Sequence, residues 1–284
     1  MKALFATLAE CLREERPVIV ATVIQSAAVP EGAVADPPAL GAAILFSPSI
    51  GVEGSLGNGE LDRIVTRDAD AVLAAGQSFT RHYGSGGETG LDDVTVFMDV
   101  FSPPPRMIIF GAVDFTRSLV KVAKVMGYRV TVCDSRRVFA TTKRFPEADE
   151  VIVQWPDEYL ATVADRLGPN DAICVLTHDH KFDVPAIATA LDTRVGYLGA
   201  MGSRKTHAER IERLLERGVD PARMQRIMAP IGLDIGARTP EETAIAICAE
   251  IIALRANTPV NSLRDSQGPI HTTALLDTES RPGH

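Results

Sequence analysis

Hydrophobic positions along the first hundred residues change period several times. Leu4, Leu8, Cys11 and Leu12 fall at i, i+4, i+7 and i+8, which predicts a short amphipathic helix. Residues 18–24 form an unbroken, β-branched apolar run, the signature of a strand buried on both faces. Residues 25–42 are small, proline-rich and irregular and predict a loop, and 43–46 predict another short strand. Residues 51–59 are dense in glycine and predict a turn. A helix over 60–75 follows, with Leu61, Ile64, Val65, Ala69 and Val72 on one face, and residues 93–101 alternate as a strand.

After the prolines at 103–105 the pattern becomes regular. Three consecutive prolines exclude helix and central strand, so a domain boundary is expected there. Short apolar runs at 107–111, 129–134, 150–153, 171–176 and 194–198 predict strands. Helical periods at 115–126, 157–167 and 183–191 separate several of them. Strands alternating with helices predict βαβ units and a parallel, doubly wound sheet. The expected organisation is a small mixed α/β domain over 1–101, a parallel α/β domain over 106–256, and a loosely ordered tail over 257–284.

Composition then narrows the chemistry. The chain has 284 residues, 45% of them hydrophobic, and a formal net charge of −8, which opposes non-specific nucleic-acid binding. Cys11, Cys133, Cys174 and Cys248 are far apart in sequence and read as small buried hydrophobes in a reducing compartment. Glu10, Glu14 and Glu15 stand where a secretory signal would be apolar, and no run is long enough to span a bilayer. A cytoplasmic location is expected.

Ligands of doubly wound sheets bind beyond the carboxyl ends of the strands. The residues expected there are Gly111-Ala112, then Asp134 and Arg136, then His178-Asp179-His180, then Gly199 through Lys205. Gly111 opens a dinucleotide-type fingerprint whose second and third glycine positions carry Val113 and Thr116. Asp134 lies near the usual position of a ribose-binding acid. The His-x-His triplet with Asp183 could offer metal donors, but on an extended loop the two rings diverge, and no metal is assigned. Gly202, Ser203, Arg204 and Lys205 combine a glycine turn, a helix-capping hydroxyl and two cations in a first helical turn. Cations there are unfavourable without an anion, which points to a phosphate subsite, with a solvated helix start as the alternative. Thr239, Pro240 and Glu242 form a capping box behind a loop containing Gly232. No nucleophile with a paired base stands out.

Several of these segments carry a resemblance. Residues 196–205, GYLGAMGSRK, resemble the YIG-x-x-GSRRK signature of the XdhC/CoxI family, accessory proteins of molybdenum hydroxylases. The PIGLDIG stretch at 230–236 with TPEE at 239–242 and AEI at 249–251 is similar to a second block of that family. Asp134, Arg136 and Phe139 with RFP at 144–146 and Ala148-Asp149 resemble a third, and Thr177-His178-Asp179 matches its strand end. The resemblance implies a Rossmann-like domain preceded by the family's N-terminal domain. It also implies binding of molybdenum cofactor, as molybdopterin or its dinucleotide form, and help with its sulfuration or insertion into a xanthine dehydrogenase or carbon monoxide dehydrogenase type of hydroxylase. The implied partners are that client, a cysteine desulfurase and a second copy of the chain. An accessory protein is implied more than a catalyst. In the N-terminal domain Gly57, Gly59 and Glu60 occupy a GSVSGGCVE-like turn, with Glu60 at the position of its cysteine. The rival readings are an NAD(P)-binding oxidoreductase and a nucleotide-sensing regulatory module.

Overall fold

The computed structural model describes residues 2–27, 38–76, 78–84 and 93–265. The central part of the 25–42 loop and the last nineteen residues of the expected tail lie outside the described residues. The chain divides into two compact units, Met1–Pro103 and Pro104–Ser266.

The first unit contains α1 (Lys2–Arg13), β1 (Val18–Ser26), β2 (Ala43–Ser47), β3 (Gly51–Ser55), α2 (Gly59–Ala75), β4 (Phe79–Tyr83) and β5 (Val94–Phe101). Its antiparallel sheet runs β3-β2-β1-β5-β4. The apolar run in β1 is continuous because both faces are covered. Ile19, Ala21 and Val23 pack into a core with Leu61, Val65 and Val72 of α2, whereas Val18 joins Cys11 of α1 and Leu45. Residues 51–55 differ from the expected turn. They form an edge strand paired with β2 from Gly51↔Ser47 to Ser55↔Ala43. Backbone hydrogen bonding supplies that strand, so its side chains give no apolar pattern.

The second unit contains β6 (Arg106–Phe110), α3 (Asp114–Val125), β7 (Arg129–Cys133), β8 (Glu150–Ile152), α4 (Pro156–Val163), β9 (Ala172–Val175), α5 (His180–Leu191), β10 (Tyr197–Ala200), α6 (Arg204–Glu216), α7 (Pro221–Met224), β11 (Ile227–Met228) and α8 (Pro240–Ala256). The sheet is parallel throughout, in the order β11-β10-β9-β6-β7-β8. That is the doubly wound Rossmann pattern, and the strand order reverses between β6 and β9. Leu119, Val120 and Ala123 of α3 and Ala244, Ile247 and Ile251 of α8 fill one core. Leu160 of α4, Ile187 and Leu191 of α5 and Leu214 of α6 fill the other. Covering on both faces explains why β6, β7 and β9 read as uninterrupted apolar runs.

Candidate functional site

The switch point is closed by backbone contacts. Gly111 has φ +111°, and a Cβ there would stand 2.8 Å from Thr177 Cγ2 and 3.0 Å from Thr177 N. The first fingerprint glycine is therefore needed for the close approach of the β6 and β9 ends. The other two positions serve packing. The Thr116 hydroxyl donates to the Gly111 carbonyl inside the turn, and Val113, at the N-cap of α3 without a side-chain cap, packs against the core. Arg144 donates from Nη1 to the Ala112 carbonyl at 3.0 Å and fastens the turn from outside.

Asp134 is buried and its carboxylate is saturated. Oδ2 accepts from Ala112 N at 2.8 Å and Arg136 Nη2 at 2.7 Å, and Oδ1 accepts from Arg136 N and Nε, both at 2.9 Å. Burial pushes this carboxyl upward, yet the Arg136 side chain and the two backbone donors outweigh it and hold it below the usual carboxylate range. Arg136 in turn lies 4.7 Å from the Phe139 ring centre, with Arg144 at 5.5 Å from the same ring. Asp134 thus ties the β7 end to the Gly111 turn, and neither of its oxygens is left over for a ligand.

At the β9 end, Thr177 is buried with its hydroxyl unpartnered, and His178 is exposed. Asp179 is the N-cap of α5 and accepts from Lys181 N at 2.9 Å through Oδ1. His180 differs from the extended loop expected for it. It is the first residue of α5, with Nε2 3.6 Å from Glu209 Oε2 on α6. The capping by Asp179 starts the helix three residues earlier than the apolar period suggests. Among the described residues no three His, Cys, Asp or Glu side chains gather as a metal donor set.

The strand β10 reaches Ala200, so Gly199 belongs to the sheet and the turn begins at Met201. A Cβ on Gly199 would meet Ile231 at 2.5 Å and Tyr197 Oη at 2.7 Å. Gly199 therefore makes room for the loop that contains Gly232. That loop is held by Glu250, whose Oε2 accepts from Gly232 N at 3.0 Å and Tyr197 Oη at 2.6 Å. Gly202 has φ +137°. Ser203 caps α6, accepting from Thr206 N at 3.1 Å. Arg204 and Lys205 are exposed and have no hydrogen-bond or ion-pair partner among the described residues. One residue escaped sequence reading: Arg210 of α6 is fully buried and donates to the Met201 carbonyl at 2.9 Å. In a helix of charged residues it looks like a solvated side chain, and no local signal marks it.

Gly111, Ala112, Asp134, Arg136, His178, Asp179, Gly202, Ser203, Arg204 and Lys205 thus sit at the carboxyl edge of one sheet, at the ends of β6, β7, β9 and β10. Gly57, Gly59 and Glu60 lie in the first unit and form a separate turn. Gly57 has φ +97°, Asn58 caps α2, and exposed Glu60 pairs with Arg63 at 2.5 Å. The Arg63 hydrogen bond lowers the Glu60 carboxyl.

Known proteins share this sequence pattern. Residues 107–251 match the XdhC Rossmann domain, and residues 11–84 match the XdhC and CoxI family. The chain is 34% identical over 165 residues to a protein of Bacillus subtilis (strain 168) described as a probable xanthine dehydrogenase subunit, a match covering 58% of this chain and 47% of that protein. It is 29% identical over 155 residues to the molybdenum cofactor insertion chaperone PaoD of Escherichia coli (strain K12), covering 55% and 42% respectively. The matched region therefore spans less than half the length of each of these relatives. A crystal structure of a xanthine dehydrogenase from Bacillus halodurans aligns with a TM-score of 0.49 at 22% identity, over 92% of this chain and 97% of that one. With the Rossmann domain matched over more than half of its length, the chain belongs to the XdhC and CoxI family.

Proposed function

We propose that the chain binds molybdenum cofactor as cargo at the carboxyl edge of the second unit and passes it to a molybdenum hydroxylase of the xanthine dehydrogenase or carbon monoxide dehydrogenase type. The observation that carries this reading is the pair Arg204 and Lys205, unpartnered among the described residues in the first turn of α6, in a chain of net charge −8. Two cations at the positive end of a helix repel it unless an anion lies between them. The phosphate of a pterin cofactor, or the pyrophosphate of its dinucleotide form, is such an anion. Asp179 uses only Oδ1 in capping α5, and its other oxygen suits the N–H donors of a pterin ring. A relative named as a molybdenum cofactor insertion chaperone supports the reading.

The thiols support holding and insertion over sulfur carriage by this chain. All four cysteines are buried. Burial pushes the Cys133 and Cys248 thiols up to about 12 and raises Cys174 as well. A persulfide relay needs an accessible thiolate, so sulfur for the cofactor would come from a separate donor such as a cysteine desulfurase. The NAD(P) alternative is disfavoured by the packed Val113 and the saturated Asp134 carboxylate.

The test is mass spectrometry of the small molecule that co-purifies from a cell making molybdenum cofactor, with Arg204→Ala beside the unaltered chain. A charge-assisted contact contributes about 1.5–3 kcal/mol, so Arg204→Ala should weaken cofactor binding roughly 10- to 150-fold. Its melting temperature should not change, because the side chain is exposed and unpaired. Recovery of NAD(P) in place of a pterin would overturn the reading.

A further inference from the structure

The largest fully buried side chain among the described residues is a charged one. Arg210 on α6 and Asp183 on α5 are each 0% exposed, with Arg210 Nη2 3.1 Å from Asp183 Oδ2. The pair is incompletely satisfied: Arg210 Nε and Nη1 and Asp183 Oδ1 have no hydrogen-bond partner. Removing a guanidinium from water with three N–H donors idle is costly. A solvated helix would place such a residue outside, so its position calls for a reason.

The position is directly behind the turn that opens α6. Nη2 of Arg210 donates to the Met201 carbonyl. It also stands 3.7 Å from the point a Cβ on Gly202 would occupy, with Thr206 Cβ and Cγ2 at 3.1 Å from that point. The close Thr206 contact and the φ of +137° require glycine at 202, and the guanidinium lies at ordinary contact distance behind it. The charged and titratable neighbours are few. Asp179 and Asp183 come from the start of α5, His207 and Glu209 from α6, and His180 opens α5 beside Glu209. His207 is held below its ordinary value by burial and by Arg210.

We propose that Arg210 is a positioning residue for an anion held at residues 202–205: it fixes the turn through the Met201 carbonyl and adds an interior positive charge behind it, and Asp183 sets how much of that charge is compensated. The inference rests on the anion subsite proposed above. It assigns a function to a buried ion pair that neither the exposed cations nor the helix terminus explains. Interior charges act through a medium of lower dielectric than water and are little screened by salt. Removing the Asp183 charge should therefore strengthen anion binding at the turn, although it deletes a partner of the ion pair.

That sign separates the proposal from a merely structural role. The full chain is titrated with inorganic sulfate by calorimetry at pH 8, with Trp155 fluorescence as the check of folding. For a unit charge on the order of 10 Å from the doubly charged sulfate at an effective dielectric of about 20, Asp183→Asn should tighten sulfate binding on the order of 100-fold. Asp183→Ser, which leaves room for a water, should act in the same direction. Arg210→Met should weaken binding by less than that factor, because the Asp183 carboxyl, pushed up to about 7 by burial and held down by Arg210, takes up a proton once its partner is gone; Arg210→Lys, which keeps the charge, should recover most of the loss. Should the Asp183 variants fail to fold, the Arg210→Lys and Arg210→Met pair decides. Equal or weaker binding by a folded Asp183→Asn, or equal loss in both Arg210 variants, overturns the proposal alone. If the unaltered chain binds no sulfate, or Arg204→Ala binds it equally well, the anion subsite itself falls and takes the proposal with it.

Discussion

Replacing Gly111 by alanine tests whether the switch point is a close-packed joint. The added methyl would lie 2.8 Å from Thr177 Cγ2, 3.0 Å from Thr177 N and 3.2 Å from the Leu176 carbonyl carbon. Two of these three neighbours are backbone atoms at the end of β9, so a rotamer change cannot relieve the contact. Left-handed strain at φ +111° adds about 1–2 kcal/mol, and overpacking about 1–3 kcal/mol. Together they predict a loss of about 2–5 kcal/mol. Gly218→Ala is the matched control. It has φ +79° with nothing within 4 Å of its Cβ position, so it should cost the strain alone. Trp155 is the only tryptophan in the sequence and lies in the second unit, packed 5.0 Å from Phe182. Its fluorescence therefore follows unfolding of that unit. With a urea slope of about 1–3 kcal/mol/M, Gly111→Ala should lower the midpoint by roughly 1–2 M, clearly more than Gly218→Ala. Equal shifts for the two variants would refute the claim that β6 and β9 meet too closely for a side chain.

Asp134→Asn should cost about 2–3 kcal/mol, because an amide cannot accept at both oxygens from four N–H donors. The folded-state carboxyl of Asp134 is lowered, so its stabilisation is complete above the unfolded value near 3.9 and is lost as pH falls through the lower folded value. The stability gap between the unaltered chain and Asp134→Asn, measured from pH 7 down to pH 3, should narrow only in the acid range; a gap independent of pH would contradict this. Thr239→Ala removes the hydroxyl half of the capping box of α8 and should cost about 1 kcal/mol, or roughly 2–4 °C in melting temperature. An unchanged melting temperature would show that the cap is not limiting for α8.

What the sequence conveys depends on whether the cause is local. The β-branched run in β1, the apolar face of α2 and the Thr239 capping box are fixed by neighbouring residues and are legible. The strand β3 is invisible because glycine and polar residues are recruited by the backbone of β2. The two-residue β11 exists through its pairing with Leu198 and Gly199. At the site, glycine positions are visible but their reasons are not: Gly199 serves Ile231 and Gly111 serves Thr177, partners 32 and 66 residues away. Asp134 looks like a ligand-binding acid because nothing in its neighbourhood reveals that Ala112 N, 22 residues earlier, fills its second oxygen. The burial of Arg210 is set by the packing of α6 against α5 and has no counterpart in the local pattern.

The interior placement of the cysteines makes them clocks for each unit's opening. Cys11 lies in the first unit, and Cys133, Cys174 and Cys248 lie in the second, all between 0% and 3% exposed. A thiol reagent in native buffer can react with each one only when its surroundings transiently open. The labelling rate of Cys11 then reports the opening of the first sheet, and the other three report the second. The same shielding keeps the folded chain chemically quiet toward peroxide and other oxidants that attack exposed thiolates.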